Sequence, residues 1–330
     1  MKPKLAITMG DINGIGPEIL VKALARPDVQ ELCEPVVLGS ARVLETARDH
    51  APLCPPATLV TDFARTVLPA GSIPVIEGPV PIPEYHPGRL DPQAGRCAVE
   101  WVKQAVGMAL ARKVAGVVTC PINKEGIHLA GYDYAGHTEL VAELTNTRDY
   151  RLCLFADQLR IVHNSTHCSL IEAIRLVKAD RIAVTIRLGH AALVRLGFAR
   201  PRIAIAGVNP HAGEAGAFGR EEIDELRPAI ERCSAEGIEC SGPHPPDTVF
   251  LRMLNREFDM AVAMYHDQGH IPLKLVAMDS GVNTTLGTPI IRTSVDHGTA
   301  YDIAGKGVAR EESLCAAIRL AVQFAEAERS

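Results

Sequence analysis

The chain has 330 residues, with 34 Lys plus Arg against 39 Asp plus Glu and a formal net charge of −5. That balance excludes an enveloping nucleic-acid surface, which needs a basic stripe, but leaves room for a local basic pocket for a small anion. Apolar residues at 47% and charged residues at 22% exclude a disordered chain, and the length fits about two domains.

No apolar run approaches the ~20 residues that cross a bilayer. The start, MKPKLAITMGD, is basic, but its apolar stretch stops at Ile7, so it does not read as a secretory signal. No membrane partner and a cytoplasmic location are expected. The nine cysteines are scattered, odd in number and without a C-x-x-C pair, and they read as buried reduced thiols.

In chain order, residues 4–8 read as a strand and 17–25 as a helix, with Pro17 at its first position and Glu18 in its first turn. Residues 36–38 form a strand, 41–49 a helix, 94–111 a long helix and 116–119 a buried strand ended by Pro121. The Pro-rich stretch 71–92 reads as an irregular extended segment. Residues 152–155 and 160–163 look like a pair of strands; 179–195, 221–235 and 311–328 are helical. Residues 202–206, 260–264 and 282–286 are further strands. Strands alternating with helices of this length indicate βαβ units and a largely parallel sheet.

Familiar fingerprints are missing. The first strand leads into Gly10-Asp11-Ile12-Asn13-Gly14-Ile15-Gly16-Pro17-Glu18, whose glycine spacing is not Gly-x-Gly-x-x-Gly. A Walker A loop, a Gly-x-Ser-x-Gly elbow and a His-Glu-x-x-His helix are likewise absent, which lowers P-loop, simple hydrolase and zincin readings.

Three segments share one plan: an apolar strand followed within a few residues by histidine in polar company. They end in His163-Asn164-Ser165-Thr166-His167, in Gly207-Val208-Asn209-Pro210-His211 and in Met264-Tyr265-His266-Asp267. Ligands of open α/β sheets gather beyond the carboxyl ends of strands. Three such histidines can converge on one divalent metal, which polarises a hydroxyl or carbonyl; the plainer alternative is three separate loop or core histidines. His270 is a weaker ligand candidate, because Gly269 and Pro272 argue against a continuous helix there.

Anion-binding candidates lie elsewhere. Gly136-His137-Thr138-Glu139 opens a helix, where Thr138 caps it or contacts a phosphate. Lys274 and Arg292 sit in uncharged surroundings, as cations that meet a ligand or a structural ion pair. Gly281-Val282-Asn283-Thr284-Thr285-Leu286-Gly287 would let backbone approach a ligand closely. The stretch from Asp296 to Gly307 suits a loop clasping a flat group such as adenine, or a turn into the last helix.

These segments resemble the 4-hydroxythreonine-4-phosphate dehydrogenase family over nearly the whole chain, most strongly at Val208-Asn209-Pro210-His211-Ala212-Gly213-Glu214, Met264-Tyr265-His266-Asp267-Gln268-Gly269 and Ile291-Arg292-Thr293-Ser294-Val295-Asp296-His297-Gly298-Thr299-Ala300. Gly14-Ile15-Gly16-Pro17-Glu18 and His297-Gly298-Thr299-Ala300 also look like isocitrate and isopropylmalate dehydrogenases, which build a nicotinamide site without the usual glycine fingerprint. The resemblance implies a two-domain α/β/α subunit of that type, with mostly parallel sheets and an interdomain cleft. Its cofactor-side domain is expected at 1–125 plus 280–330, and its metal, substrate and dimerisation domain at 126–279.

By the family pattern, His167, His211 and His266 bind the metal, with His167 supplied across a homodimer. His137, Thr138, Lys274, Asn283 and Arg292 contact the substrate, and Lys274, His137 and Asp247 are the candidates for acid–base work. Gly14, Gly16, Asn283, Leu286, His297 and Asp302 are expected on the cofactor side. The implied chemistry is oxidation of a secondary hydroxyl by NAD, with NADP as the alternative, followed by loss of carbon dioxide. One divalent ion per site is implied; histidine ligands favour zinc, cobalt, nickel or manganese over magnesium.

The segment Gly269-His270-Ile271-Pro272-Leu273-Lys274-Leu275 looks like the catabolic sugar-acid branch, since the biosynthetic branch usually has an apolar residue where His270 stands. The favoured substrate is therefore 4-phospho-D-threonate or 4-phospho-D-erythronate, giving dihydroxyacetone phosphate and CO2. The alternative is 4-phosphooxy-L-threonine, of pyridoxal phosphate biosynthesis. More distant readings are a metal-dependent hydrolase or transferase without NAD, and a non-catalytic anion-binding module.

Overall fold

A computed structural model describes residues 2–61 and 71–328. The chain divides into two compact units, Met1–Thr147 with Thr288–Ser330, and Arg148–Gly287. Strands are numbered β1–β12 in chain order.

The first unit carries β1 (Lys4–Thr8), β2 (Glu34–Leu38), β3 (Ala57–Leu59), β4 (Ile73–Ile76), β5 (Gly116–Thr119) and β12 (Arg292–Val295). They lie side by side in the order β3-β4-β2-β1-β5-β12, every pairing parallel. The middle strands β1 and β5 are buried along almost their whole length, which is why they read as continuous apolar runs rather than alternating ones. The long helix Pro92–Leu110 starts where the Asp91 side chain accepts from the Gln93 N–H, with Pro92 at the first position. Its buried stripe of Ala94, Cys97, Ala98, Trp101, Val102 and Ala105 follows helical spacing. The fully buried Trp101 donates its indole N–H to the Glu77 carbonyl, so its polar edge is satisfied inside the core.

The second unit carries β6 (Arg151–Ala156), β7 (Leu159–His163), β8 (Ile203–Ala206), β9 (Cys240–His244), β10 (Met260–Ala263) and β11 (Val282–Leu286). Their order is β11-β6-β7-β10-β8-β9. β6 is antiparallel to β7 and β11, whereas β7, β10, β8 and β9 run parallel. Consequently β7, β10 and β8 are adjacent and end on the same edge. The core beneath them includes Leu154, Ile161, Ala204, Ala261, Val249, Met253 and Leu273.

This is an α/β chain with mostly parallel strands, as its alternating pattern implies. Several local expectations need correction. Residues 266–277 form one continuous helix, His266–Ala277, despite Gly269 and Pro272. A Cβ on Gly269 would lie 2.3 Å from His163 Nε2 and 2.8 Å from Ile161, so the bare glycine is what lets this helix settle onto β7. Strand β4 occupies part of the Pro-rich 71–92 stretch, and the rest runs irregularly to Asp91. The helix at 221–235 opens with a π turn, Glu222–Leu226, before Arg227–Ala235. Thr138 does not cap its helix: Gly136 is the capping position of His137–Leu144, and no side chain caps it. All nine cysteines are free, seven of them buried. Burial pushes thiols such as Cys97 and Cys233 up to about 11, which keeps them protonated and inert. Among the described residues no helix is long and apolar enough to cross a membrane.

Candidate active site

In the second unit the three histidine-bearing loops leave adjacent strand ends and are stitched together by polar side chains. The Asn164 N–H donates to the Ala263 carbonyl, and the Ser165 hydroxyl to the Met264 carbonyl, joining the ends of β7 and β10. Gln268 joins β10 to β8: its Oε1 accepts from the Met264 N–H at 2.6 Å, and its Nε2 donates to the Gly207 carbonyl at 2.7 Å. Both Ser165 and Gln268 are buried, so these bonds replace water that cannot reach the groups.

His266 begins its helix, and its Nδ1 lies 2.7 Å from Asp267 Oδ1. With Nδ1 engaged by Asp267, Nε2 is the ring nitrogen left to act as an acceptor. The His266 ring stacks on His270, with centroids 3.6 Å apart at 10°, and His270 lies 4.7 Å from His163. Burial and the neighbouring His266 push His270 down to about 4, so it is neutral. His163, enclosed and flanked by the same histidines, is likewise held well below the ordinary imidazole range. His167 is exposed, with its ring centroid 5.9 Å from that of His266. The two line a cavity of about 510 Å³ with Thr166, Cys168, Tyr265 and Asp267. Among the described residues no three His, Cys, Asp or Glu of a single chain converge as a metal cluster. A three-histidine set that borrows one member from a second copy needs no such cluster in one chain.

His211 sits in an unusual backbone. Residues 211–215 all have left-handed dihedrals, with φ of 54°, 53°, 81°, 42° and 55°, and only Gly213 is a glycine. For L-residues that region costs about 1–2 kcal/mol each, so the surroundings must hold it. The Glu222 carboxylate accepts from the Val208 and Asn209 N–H groups just before the turn. Burial raises its pKa, but the hydrogen bonds from Asn209 and Val208 outweigh that and leave it lowered, so the group stays ionised.

Lys274 is exposed on the His266–Ala277 helix, and Asn283 is half-buried on β11 with Leu286 buried beyond it. Asp247 is exposed and lines a groove of about 610 Å³ together with Tyr265, Asp267 and Gln268.

In the first unit Arg292 lies near His137 and Glu139, and Thr138 is buried between those two in sequence. Arg292 is 2% exposed and donates to the Thr119 hydroxyl at 2.9 Å. Burial pushes its guanidinium down to about 9, against the pull of nearby Glu139. Burial and the Arg292 charge hold His137 well below the usual imidazole range, and its Nε2 is buried with no hydrogen-bond partner among the described residues. A buried fork of donors beside a neutral imidazole suits a doubly charged phosphate ester.

Gly14 and Gly16 are filled by the chain itself. A Cβ on Gly16 would lie 2.1 Å from the Met9 carbonyl oxygen, and one on Gly14 would lie 2.9 Å from Thr299. The Ile15 N–H, at the capping position of this helix, donates to the Thr299 carbonyl. The 296–307 loop clasps that helix: Glu18 accepts from the Gly307 and Ala309 N–H groups, Lys22 donates to both carbonyls, and the Tyr301 hydroxyl donates to Asp11. His297 is half-buried and Asp302 is exposed on that loop. Sequence reasoning missed Ser165, Gln268, Asp267 and Glu222 as organisers; for Ser165, Asp267 and Gln268 the available signal was a polar residue within a few positions of an apolar strand's end.

The chain matches the family described as pyridoxal phosphate biosynthetic protein PdxA over residues 31–321. It is 45% identical over 328 residues to the D-threonate 4-phosphate dehydrogenase of Pectobacterium atrosepticum, spanning 98% of this chain and 100% of that one. It is 47% identical over 328 residues to the 4-hydroxythreonine-4-phosphate dehydrogenase of Desulfosudis oleivorans, spanning 98% and 96%. The crystal structure of 4-hydroxythreonine-4-phosphate dehydrogenase from Klebsiella pneumoniae superposes with a TM-score of 0.86 at 44% identity, covering 98% of this chain and 100% of that one. All three relatives are dehydrogenases, and the resemblance carried by the histidine and Arg292 motifs points the same way. The chain belongs to the PdxA family.

Proposed function

We propose that the protein is a metal- and NAD-dependent dehydrogenase that oxidises and decarboxylates a 4-phosphorylated four-carbon 3-hydroxy acid, with 4-phospho-D-threonate or 4-phospho-D-erythronate favoured. The observation that carries this reading is the pair of adjacent strand ends β10 and β8, which deliver His266 and His211 and are cross-linked through Gln268, with β7 beside them carrying the His167 that would serve the second copy's site. The donor set fits a divalent ion: it consists of imidazoles, and His266 is oriented by Asp267. His167, His211 and His266 would hold the ion, with His167 coming from a second copy. The exposed Leu170 (59%) and Ile171 (68%), just after His167, support a covered surface there.

A bound divalent ion would supply Lewis acidity to the substrate hydroxyl and to the charge developing on decarboxylation, and NAD would supply the hydride acceptor. Arg292, with Thr138, would bind the phosphate. His137, neutral and with a buried unpartnered Nε2, would accept a hydrogen bond or proton from the substrate, with Lys274 and Asp247 as the other proton-transfer candidates. Oxidation at C3 of the phosphorylated sugar acid yields a β-keto acid; loss of the carboxylate then leaves dihydroxyacetone phosphate. The equally high identity to a 4-hydroxythreonine-4-phosphate dehydrogenase supports 4-phosphooxy-L-threonine as the second reading. His270, stacked on His266, favours the sugar acid, because it adds a polar ring where the amino-acid branch usually has an apolar residue. The test is an assay of reduced-nicotinamide formation with all three phosphorylated acids, each with NAD and NADP and with added divalent ions. Turnover of the sugar-acid phosphates over the amino acid, abolished by chelation and by His211→Ala, is expected. Preference for the amino acid would reverse the substrate assignment.

A further inference from the structure

We propose that Glu222 is a positioning residue for the reaction: its buried carboxylate fixes the left-handed turn that carries His211. This rests on the reading of His211 as a metal ligand and extends it to a group outside the ligand set.

The geometry is specific. Strand β8 ends at Ala206, and the Gly207 N–H is spent on the His244 carbonyl. The next two N–H groups, of Val208 and Asn209, both point to Glu222 Oε1, at 2.8 and 2.7 Å. Glu222 Oε2 accepts from Asn209 Nδ2 at 2.9 Å, and that same nitrogen donates to Glu221 Oε2 at 2.7 Å. Three donors thus converge on one side chain that is 1% exposed. Only an acceptor at both ends satisfies them; an amide would set an NH2 against the Asn209 NH2.

The same carboxylate shapes the turn beyond. A Cβ on Gly213 would lie 2.7 Å from Glu222 Oε2, and one on Gly207 would lie 3.3 Å from Oε1. The turn therefore closes over the carboxylate, with glycine at the point of closest approach. Glu222 is the first residue of the π turn, a local irregularity that recurs at functional sites. Four non-glycine residues stay left-handed because the chain on their upstream side is pinned, and His211 is the first of them.

The test is calorimetric titration of the intact protein with Zn2+ alone, alongside thermal unfolding. The variants are His211→Ala, Glu222→Gln, Glu222→Asp and the double variant Glu222→Gln with Ala215→Gly. Glu222→Gln is expected to weaken Zn2+ binding about 10–100-fold, the usual cost of losing a group that orients a ligand. Ala215 is exposed, so Ala215→Gly should return part of that affinity, because glycine adopts the left-handed region freely. A role in stability alone would lower the unfolding temperature without this rescue. If Glu222→Gln does not fold, Glu222→Asp decides by the same measure. Wild-type Zn2+ affinity in the Glu222 variants, with affinity lost in His211→Ala, would overturn the role of Glu222 and leave the metal reading standing. Wild-type affinity in His211→Ala would overturn both.

Discussion

Replacing Gln268 with alanine removes the cross-link between the ends of β8 and β10. The Met264 N–H and the Gly207 carbonyl, now bonded at 2.6 and 2.7 Å, are left without partners at a buried position. Each orphaned group costs about 1–3 kcal/mol, and the lost methylene adds roughly 1 kcal/mol, for a total of about 3–7 kcal/mol. For a unit of this size that lowers the unfolding midpoint by roughly 10–20 °C. Gln268→Glu keeps the acceptor for Met264 but sets a second acceptor against the Gly207 carbonyl, so it should be damaging as well. The assay is thermal unfolding followed by far-ultraviolet circular dichroism, with the glutamate variant in parallel. A midpoint for Gln268→Ala within about 2 °C of the wild type would refute the reasoning, because neither orphaned group would then carry its desolvation cost.

Arg292→Lys keeps the charge but loses the planar fork; KM for the phosphorylated substrate should rise about 10–100-fold in steady-state assays, with a smaller change in kcat. His137 in the first unit and His163 in the second are held neutral by burial, well below the ordinary imidazole value of 6.5. The unfolded chain therefore binds protons that the folded one refuses. Stability is full above pH 6.5 and falls as the pH drops below it, by about 1.4 kcal/mol per pH unit in the first unit and, because His270 is depressed along with His163, about 2.7 kcal/mol per pH unit in the second. Urea midpoints measured from pH 7 to pH 5 check this; a flat profile counts against it. Gly16→Ala, with its Cβ 2.1 Å from the Met9 carbonyl, should abolish soluble expression, whereas Gly298→Ala, with open space around its Cβ, should leave the melting temperature unchanged.

Much of this was legible in the chain because buried parallel strands leave unbroken apolar runs. The strands at 4–8, 116–119 and 203–206 announce themselves that way, and each histidine loop follows directly from such a run. What stayed hidden depends on partners distant in sequence. Gly269 and Pro272 argue locally against a helix, yet packing onto Ile161 and His163 keeps it continuous and turns the glycine into a requirement. The left-handed run at 211–215 could not be read, since only one of its five residues is glycine and its support comes from Glu222. Gly14 and Gly16 stand out locally for their bare backbone, but that the missing side chain of Gly14 accommodates Thr299 depends on a residue distant in sequence, while Gly16 makes room for Met9 nearby.

The second unit enters at Arg148 and leaves at Gly287, and these two ends lie together: a Cβ on Gly287 would meet the Asp149 carbonyl at 2.2 Å. Leu286 pairs with Arg151 where the outgoing strand β11 runs beside the incoming β6. The segment is thus an excursion with a single doorway. A gene fragment encoding it could be transplanted into another host protein, or its old ends fused and new termini opened at a surface turn, without stretching the backbone.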